Sequence, residues 1–111
     1  MRNSLRFAVL PLLLAAGVPA LARGNATRGA AIAQKNCSAC HATGLRGASP
    51  NVKSPPFREL GRRFRIGDLE EALAEGIVVG HEGAEMPTFE FSPGRIADLM
   101  AYLGAIQVKK R

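Results

Sequence analysis

The sequence predicts an all-α domain of about four short helices joined by long loops. Apolar residues fall at helical spacing in four segments, 27–37, 54–64, 67–76 and 92–106. The connections between them are rich in Gly, Pro, Ser and Asn, and no repeat, coiled coil or β-rich region interrupts the pattern. Loops this long are unusual in a plain helix bundle and need something to pack against.

The first 22 residues are set apart from this domain. "MRNSLRFAVLPLLLAAGVPALA" carries Arg2 and Arg6, then an apolar run from Phe7 to Val18, then Ala20-Leu21-Ala22. That is the layout of a secretory signal peptide, expected to be cleaved after Ala22. The run is short of the roughly 20 apolar residues of a membrane span, and Pro11 and Pro19 punctuate it. Residues 23–111 are then one domain of 89 residues, not membrane-spanning once the leader is removed. A domain of this size buries a modest core and is often helped by a cofactor or crosslink.

The first helix is "TRGAAIAQKNC", with Asn25 or Thr27 as its cap. Ala30, Ile32, Ala33 and Cys37 form a stripe of small residues that permits close approach of another helix. "ATGLRGASPNVKSPP" is loop. Ser54 is the expected cap of a second, short helix with prolines in its first turn, and Phe57, Leu60 and Phe64 are its apolar positions. The third helix, "GDLEEALAEG", has Asp68, Glu70 and Glu71 at its start, where the helix dipole favours acids. Leu69, Ala72 and Leu73 form its stripe and Gly76 ends it. "IVVGHEGAEMPTFEF" lacks helical periodicity and is read as extended loop. Ser92-Pro93 opens the last helix as cap and first-turn proline. Its stripe, Ile96, Leu99, Met100, Leu103 and Ile106, is the strongest in the chain.

Composition narrows the function. Outside the leader the only aromatics are Phe57, Phe64, Phe89, Phe91 and Tyr102, and there is no tryptophan. A large apolar cofactor would fill the space so few aromatics leave. Without Arg2 and Arg6 the 15 basic residues become 13, against nine acidic ones, a balance of +4. Such a charge suits docking on an acidic protein face. Arg58, Arg62, Arg63 and Arg65 cluster near Phe57 and Phe64, but those rings fall at core spacing and not in a stacking array, so no nucleic-acid partner is expected.

Both cysteines lie in "NCSACHATG". Cys37, Cys40 and His41 admit three readings: a disulfide or redox switch, a corner of a metal site, or a covalent haem anchor. A thioredoxin-like pair needs a neighbouring βαβ unit. A structural zinc needs four ligands; His81 could complete the count, yet three ligands within five residues wrap a tetrahedron poorly. A plain disulfide leaves His41 without a role. Cys-x-x-Cys-His is the attachment signature of c-type haem: cysteines at i and i+3 reach two vinyl groups on one porphyrin edge, and the next residue brings imidazole to the iron. The expected cofactor is one haem c, held by two thioethers, with iron ligated by His41. For the second axial ligand the candidates are Met86, His81 and Met100. Met100 sits on the apolar stripe of the last helix. Met86 precedes Pro87, which favours extended backbone before it, and follows His41 by 45 residues, enough chain to cross to the opposite haem face. Met86 is the expected ligand and His81 an exposed loop residue.

The chain beyond its leader resembles small bacterial class I cytochromes c over nearly its whole length. "RGAAIAQKNCSACHATG" is similar to that family's first helix and haem motif, "PPF" to its proline-led loop, and "MPTFEFSPGRIADLMAYLGAI" to its methionine loop and last helix. The resemblance implies an all-α fold wrapped around one covalently bound haem, with first and last helices crossing at a glycine. Gly29 matches that glycine, and Leu99, Tyr102 and Leu103 match its partners. Cys37 and Cys40 would form the thioethers, His41 and Met86 the axial pair. Pro55 would accept the imidazole N–H through its carbonyl, and Phe57 would pack on the haem. Ala33 stands where the family often has an aromatic.

The resulting expectation is a periplasmic one-electron carrier, a monomer and not an enzyme, exchanging electrons with donor and acceptor proteins that present acidic docking faces. Two other readings compete with it. One is a dedicated cytochrome subunit of a single redox complex. The other is a haem enzyme or gas sensor with an open sixth position.

Overall fold

The computed structural model describes residues 24–76, 80–81 and 84–109, together with 11, 12 and 15. Apart from those three positions, the proposed leader lies outside the described residues. Among the described residues three α-helices and one 3₁₀ helix carry the fold: α1 (Ala26–Cys37), the 3₁₀ helix Phe57–Arg62, α2 (Asp68–Glu75) and α3 (Pro93–Ala105). A short antiparallel ladder, β1 (Gly80–His81) with β2 (Ala84–Glu85), pairs Gly80 with Glu85 and His81 with Ala84. It lies in the segment read as loop; two pairs are too few to leave a period-two pattern. No described helix is long and apolar enough to cross a membrane.

The helix ends follow local chemistry. Asn25 caps α1, its side chain accepting from the Arg28 N–H at 2.9 Å. Ser92 caps α3 by accepting from the Arg95 N–H, and Pro93 follows as the first helical residue. Gly76 ends α2 at φ +82°, a conformation that suits a residue without Cβ. The second helix departs from expectation. Pro56 occupies its cap and makes no side-chain bond, so Ser54 does not cap it. Both prolines precede the helix, and the helix is 3₁₀. Ser54 is instead buried. Phe64 lies beyond the end of that helix and is 52 % exposed, so it is not a core residue of the polypeptide alone.

Packing is dominated by α1 against α3, with α2 also resting on α3. The core gathers Ile32, Ala33 and Cys37 from α1, Phe57 and Leu60 from the 3₁₀ helix, Leu73 from α2, and Ile96, Leu99 and Leu103 from α3. Met100 packs against this cluster, as its place on the stripe implies. At the crossing, Gly29 lets the helices touch backbone to backbone. A Cβ built there would lie 2.0 Å from the Asp98 carbonyl oxygen and 2.8 Å from the Tyr102 Cβ.

Polar bonds then tie the ends of the chain to the site. Asp98, buried within α3, accepts from the Asn25 N–H at 2.7 Å and pairs with the Arg28 guanidinium at 2.9 Å. The guanidinium holds the Asp98 carboxyl below its ordinary range, and the Asn25 N–H adds to this. Gln107, past the end of α3, donates to the Phe57 carbonyl and accepts from the Gly61 N–H, fixing the 3₁₀ helix to the C-terminal segment. The Tyr102 hydroxyl donates to the Thr43 carbonyl, anchoring the loop behind His41.

Candidate functional site

The last turn of α1 delivers Cys37 to the interior. The chain then folds back on itself, with the Cys40 and His41 N–H groups both donating to the Cys37 carbonyl, at 3.2 and 2.9 Å. This turn brings His41 round to the cavity that Cys37 lines. The Asn51 N–H donates to the Cys40 carbonyl at 3.1 Å and holds the turn from the loop side.

His41 Nδ1 lies 2.8 Å from the Pro55 carbonyl oxygen. A carbonyl only accepts, so the proton sits on Nδ1 and Nε2 keeps its lone pair for a metal. Phe57 is buried beside the imidazole, with ring centroids 5.0 Å apart. Its N–H donates to the Ala42 carbonyl at 2.9 Å, which sets the 3₁₀ helix against the haem-motif loop.

Cys37, His41, Pro55, Phe57 and Met86 line one cavity of about 330 Å³. Leu69, Ala72 and Leu73 of α2 and Leu99 and Leu103 of α3 complete its apolar walls, with Phe89 and Phe91 from the segment before α3. A smaller recess of about 90 Å³ adjoins it and also touches Cys37, His41 and Met86; Cys40, itself exposed, opens onto this recess. Met86 is half-buried. The side chain of His81 lies outside the described residues.

These residues fit a haem. The volume falls in the range of cofactor pockets, apolar walls suit a porphyrin face, and a few polar groups converge on it. Imidazole nitrogen and thioether sulfur are an established axial pair for haem iron. The competing readings fit less well. Burial pushes the Cys37 thiol up to about 11, whereas a redox-active cysteine needs a lowered value. Among the described residues no group of three or more His, Cys, Asp or Glu side chains is placed to hold a metal ion.

Phe89 and Phe91 were not given a role from sequence. Their rings stack at 5.6 Å between centroids, and the signal was available: residues i and i+2 of an extended segment share a face. Asp98 was likewise missed. A carboxylate inside an apolar stripe implies a buried partner, but Arg28, 70 positions away, could not be named from spacing.

An all-α fold closing on an apolar cavity, with a Cys-x-x-Cys-His turn in its wall, defines a class of small haem proteins. The family described as cytochrome c oxidase, cbb3-type, subunit III matches residues 24–103. Cytochrome c6 from a Picosynechococcus species is 36% identical over 101 residues, covering 86% of this chain and 84% of that one. No solved structure matches the chain. The chain belongs to the cytochrome c family. It is an electron-transfer protein that carries covalently bound haem c with its iron and works with redox partners.

Proposed function

We propose that the protein is an exported, periplasmic one-electron carrier whose haem is joined to Cys37 and Cys40 by thioethers and ligated by His41 and Met86. The observation that carries this reading is the convergence of Cys37, His41 and Met86 on one apolar cavity, with His41 Nδ1 held 2.8 Å from the Pro55 carbonyl. Residues 1–22 are the export leader and are removed; residues 23–111 are the cytochrome domain, working as a monomer.

Haem iron supplies the one-electron Fe(II)/Fe(III) couple. The chain supplies the setting. Pro55 orients the His41 ring and increases its basicity through the Nδ1–H bond. Met86, on the segment leading to α3 and lining the same cavity, would supply the iron's second protein ligand and so leave no position open to a substrate. Phe57, Leu99 and Leu103 exclude water from the ring faces, which favours the reduced form. Partners with acidic docking faces are steered by the basic surface, and this steering weakens with salt.

The test is the optical spectrum of the exported protein, ferric and ferrous, after acid-acetone extraction. Haem that stays with the polypeptide, together with a far-red sulfur–iron band in the ferric form, is the expected result. Covalent haem without that band and with ready carbon monoxide binding would replace Met86 by another ligand or an open site. Haem extracted completely would sink the attachment through Cys37 and Cys40.

A second reading is favoured by one observation, the oxidase-subunit description of the matching family. On it, the chain would serve one terminal oxidase as a fixed subunit. Fractionation separates the two: a carrier is recovered from the periplasmic extract, a fixed subunit with the membrane-bound complex.

A further inference from the structure

The haem cavity has two distinct ends. One adjoins the recess that shares Cys37, His41, Met86 and Phe89 with it. The other adjoins an open groove formed by Gly61–Ile66, Gln107 and Val108, which shares Arg63 and Phe64 with it. The recess and the groove have no lining residue in common. The cavity therefore runs from the cysteine turn to the Arg63-Phe64 turn.

Haem chemistry makes this polarity matter. The two vinyl groups sit on adjacent pyrroles and the two propionates on the other two. With the vinyl edge tied to Cys37 and Cys40, the propionates project toward the other end. Two carboxylates must then be accommodated beside an apolar cavity, and an unpaired charge there is costly.

Only two charged side chains line the cavity among the described residues, Arg63 and Asp68, both exposed at the mouth. They form no ion pair with each other. Arg28 is engaged by Asp98 and Arg62 by Glu59; Arg58 donates one nitrogen to the Gly47 carbonyl and keeps a second, buried one without a partner among the described residues, but it does not line the cavity. Among the described residues Arg63 has no such side-chain partner. Asp68 repels a second carboxylate from its side of the mouth, which leaves the Arg63 side as the favourable one.

We infer that the Arg63 guanidinium receives one haem propionate and, by neutralising it, raises the reduction potential and keeps that carboxylate ionised. The inference rests on the haem occupying this cavity as proposed above. A guanidinium suits the role because its planar fork of donors matches a carboxylate. Arg63 is thus a positioning and tuning residue, not an iron ligand. The groups facing the propionate are Arg63 from the turn and Asp68 from the start of α2; the α3 wall contributes the apolar Leu99 and Leu103.

The experiment is a spectroelectrochemical titration of the exported holoprotein from acid to neutral pH, for wild type, Arg63→Gln, Arg63→Lys and Arg65→Gln. Haem attachment and the sulfur–iron band are recorded first on each. The expected result for Arg63→Gln is a lower midpoint potential, with a gap from wild type that widens as pH rises. Without the guanidinium, and with Asp68 near, the propionate titrates at higher pH; once protonated it no longer favours ferric iron. Arg63→Lys should restore most of the potential, and Arg65→Gln should leave the profile nearly parallel to wild type. If Arg63→Gln tracks Arg65→Gln at every pH while haem and band are intact, the Arg63 assignment is wrong and the haem reading stands. If wild type carries no haem, the haem reading fails, and the inference fails with it.

Discussion

His41 Nδ1 and the Pro55 carbonyl oxygen stand 2.8 Å apart, joining the haem-motif turn to the loop that leads into the 3₁₀ helix. Fourteen residues separate them in the chain. The bond fixes the imidazole tautomer before any metal is bound, so the ring is oriented by the polypeptide itself.

Replacing Pro55 by Ala keeps the accepting carbonyl but releases the backbone of the loop. The bond to His41 should survive, and haem should remain attached. Stability should fall by about 0.4–1 kcal/mol, since the unfolded chain gains conformational freedom. Chemical denaturation followed by circular dichroism checks the value; a loss well above this range would mean that the imidazole bond itself had broken.

Gly29→Ala tests the helix crossing. A methyl group there would overlap the Asp98 carbonyl oxygen at 2.0 Å, and backbone cannot swing away as a flexible side chain could. Alanine's helix propensity favours the variant by up to about 1 kcal/mol. The overlap forces α1 and α3 apart, and overpacking of this kind costs about 1–3 kcal/mol or more. A net loss of stability is expected in denaturant melts, and a neutral or stabilised variant would contradict the close approach.

Asp98→Asn tests the buried latch between α1 and α3. The folded carboxyl has a lowered pKa, chiefly through its hydrogen bond to Arg28. Its contribution is therefore present above the unfolded value of about 3.9 and is lost as pH falls through the lower folded value. The variant should melt earlier than wild type at neutral pH, and the two melting curves should converge in acid. A constant gap across pH would exclude the charge as its source.

Met86→Ala should leave haem attached through Cys37 and Cys40 while opening the sixth iron position. The ferric sulfur–iron band should vanish, and the ferrous protein should bind carbon monoxide. Persistence of the band would transfer the ligand role to Met100.

The sequence by itself determined the class of fold and its cofactor chemistry. Asn25, Ser92-Pro93 and Gly76 are short-range signals, and each marks the helix end it predicted, because capping is settled within one turn. Cys37, Cys40 and His41 are equally local: three residues within five positions carry their meaning without a fold. Where local signals compete, reading failed. Ser54 offered a cap, but the two prolines and the His41–Pro55 bond held the chain extended, and the helix began later as 3₁₀. Only the tertiary structure decided that Met86, Phe89 and Phe91 share one cavity with His41, that Asp98 closes on Arg28, and that Arg63 stands at the mouth beside Asp68. Those are encounters between residues far apart in the chain. They depend on how α1 and α3 cross at Gly29, and a crossing is set by surfaces meeting in space, which no spacing within one helix can report.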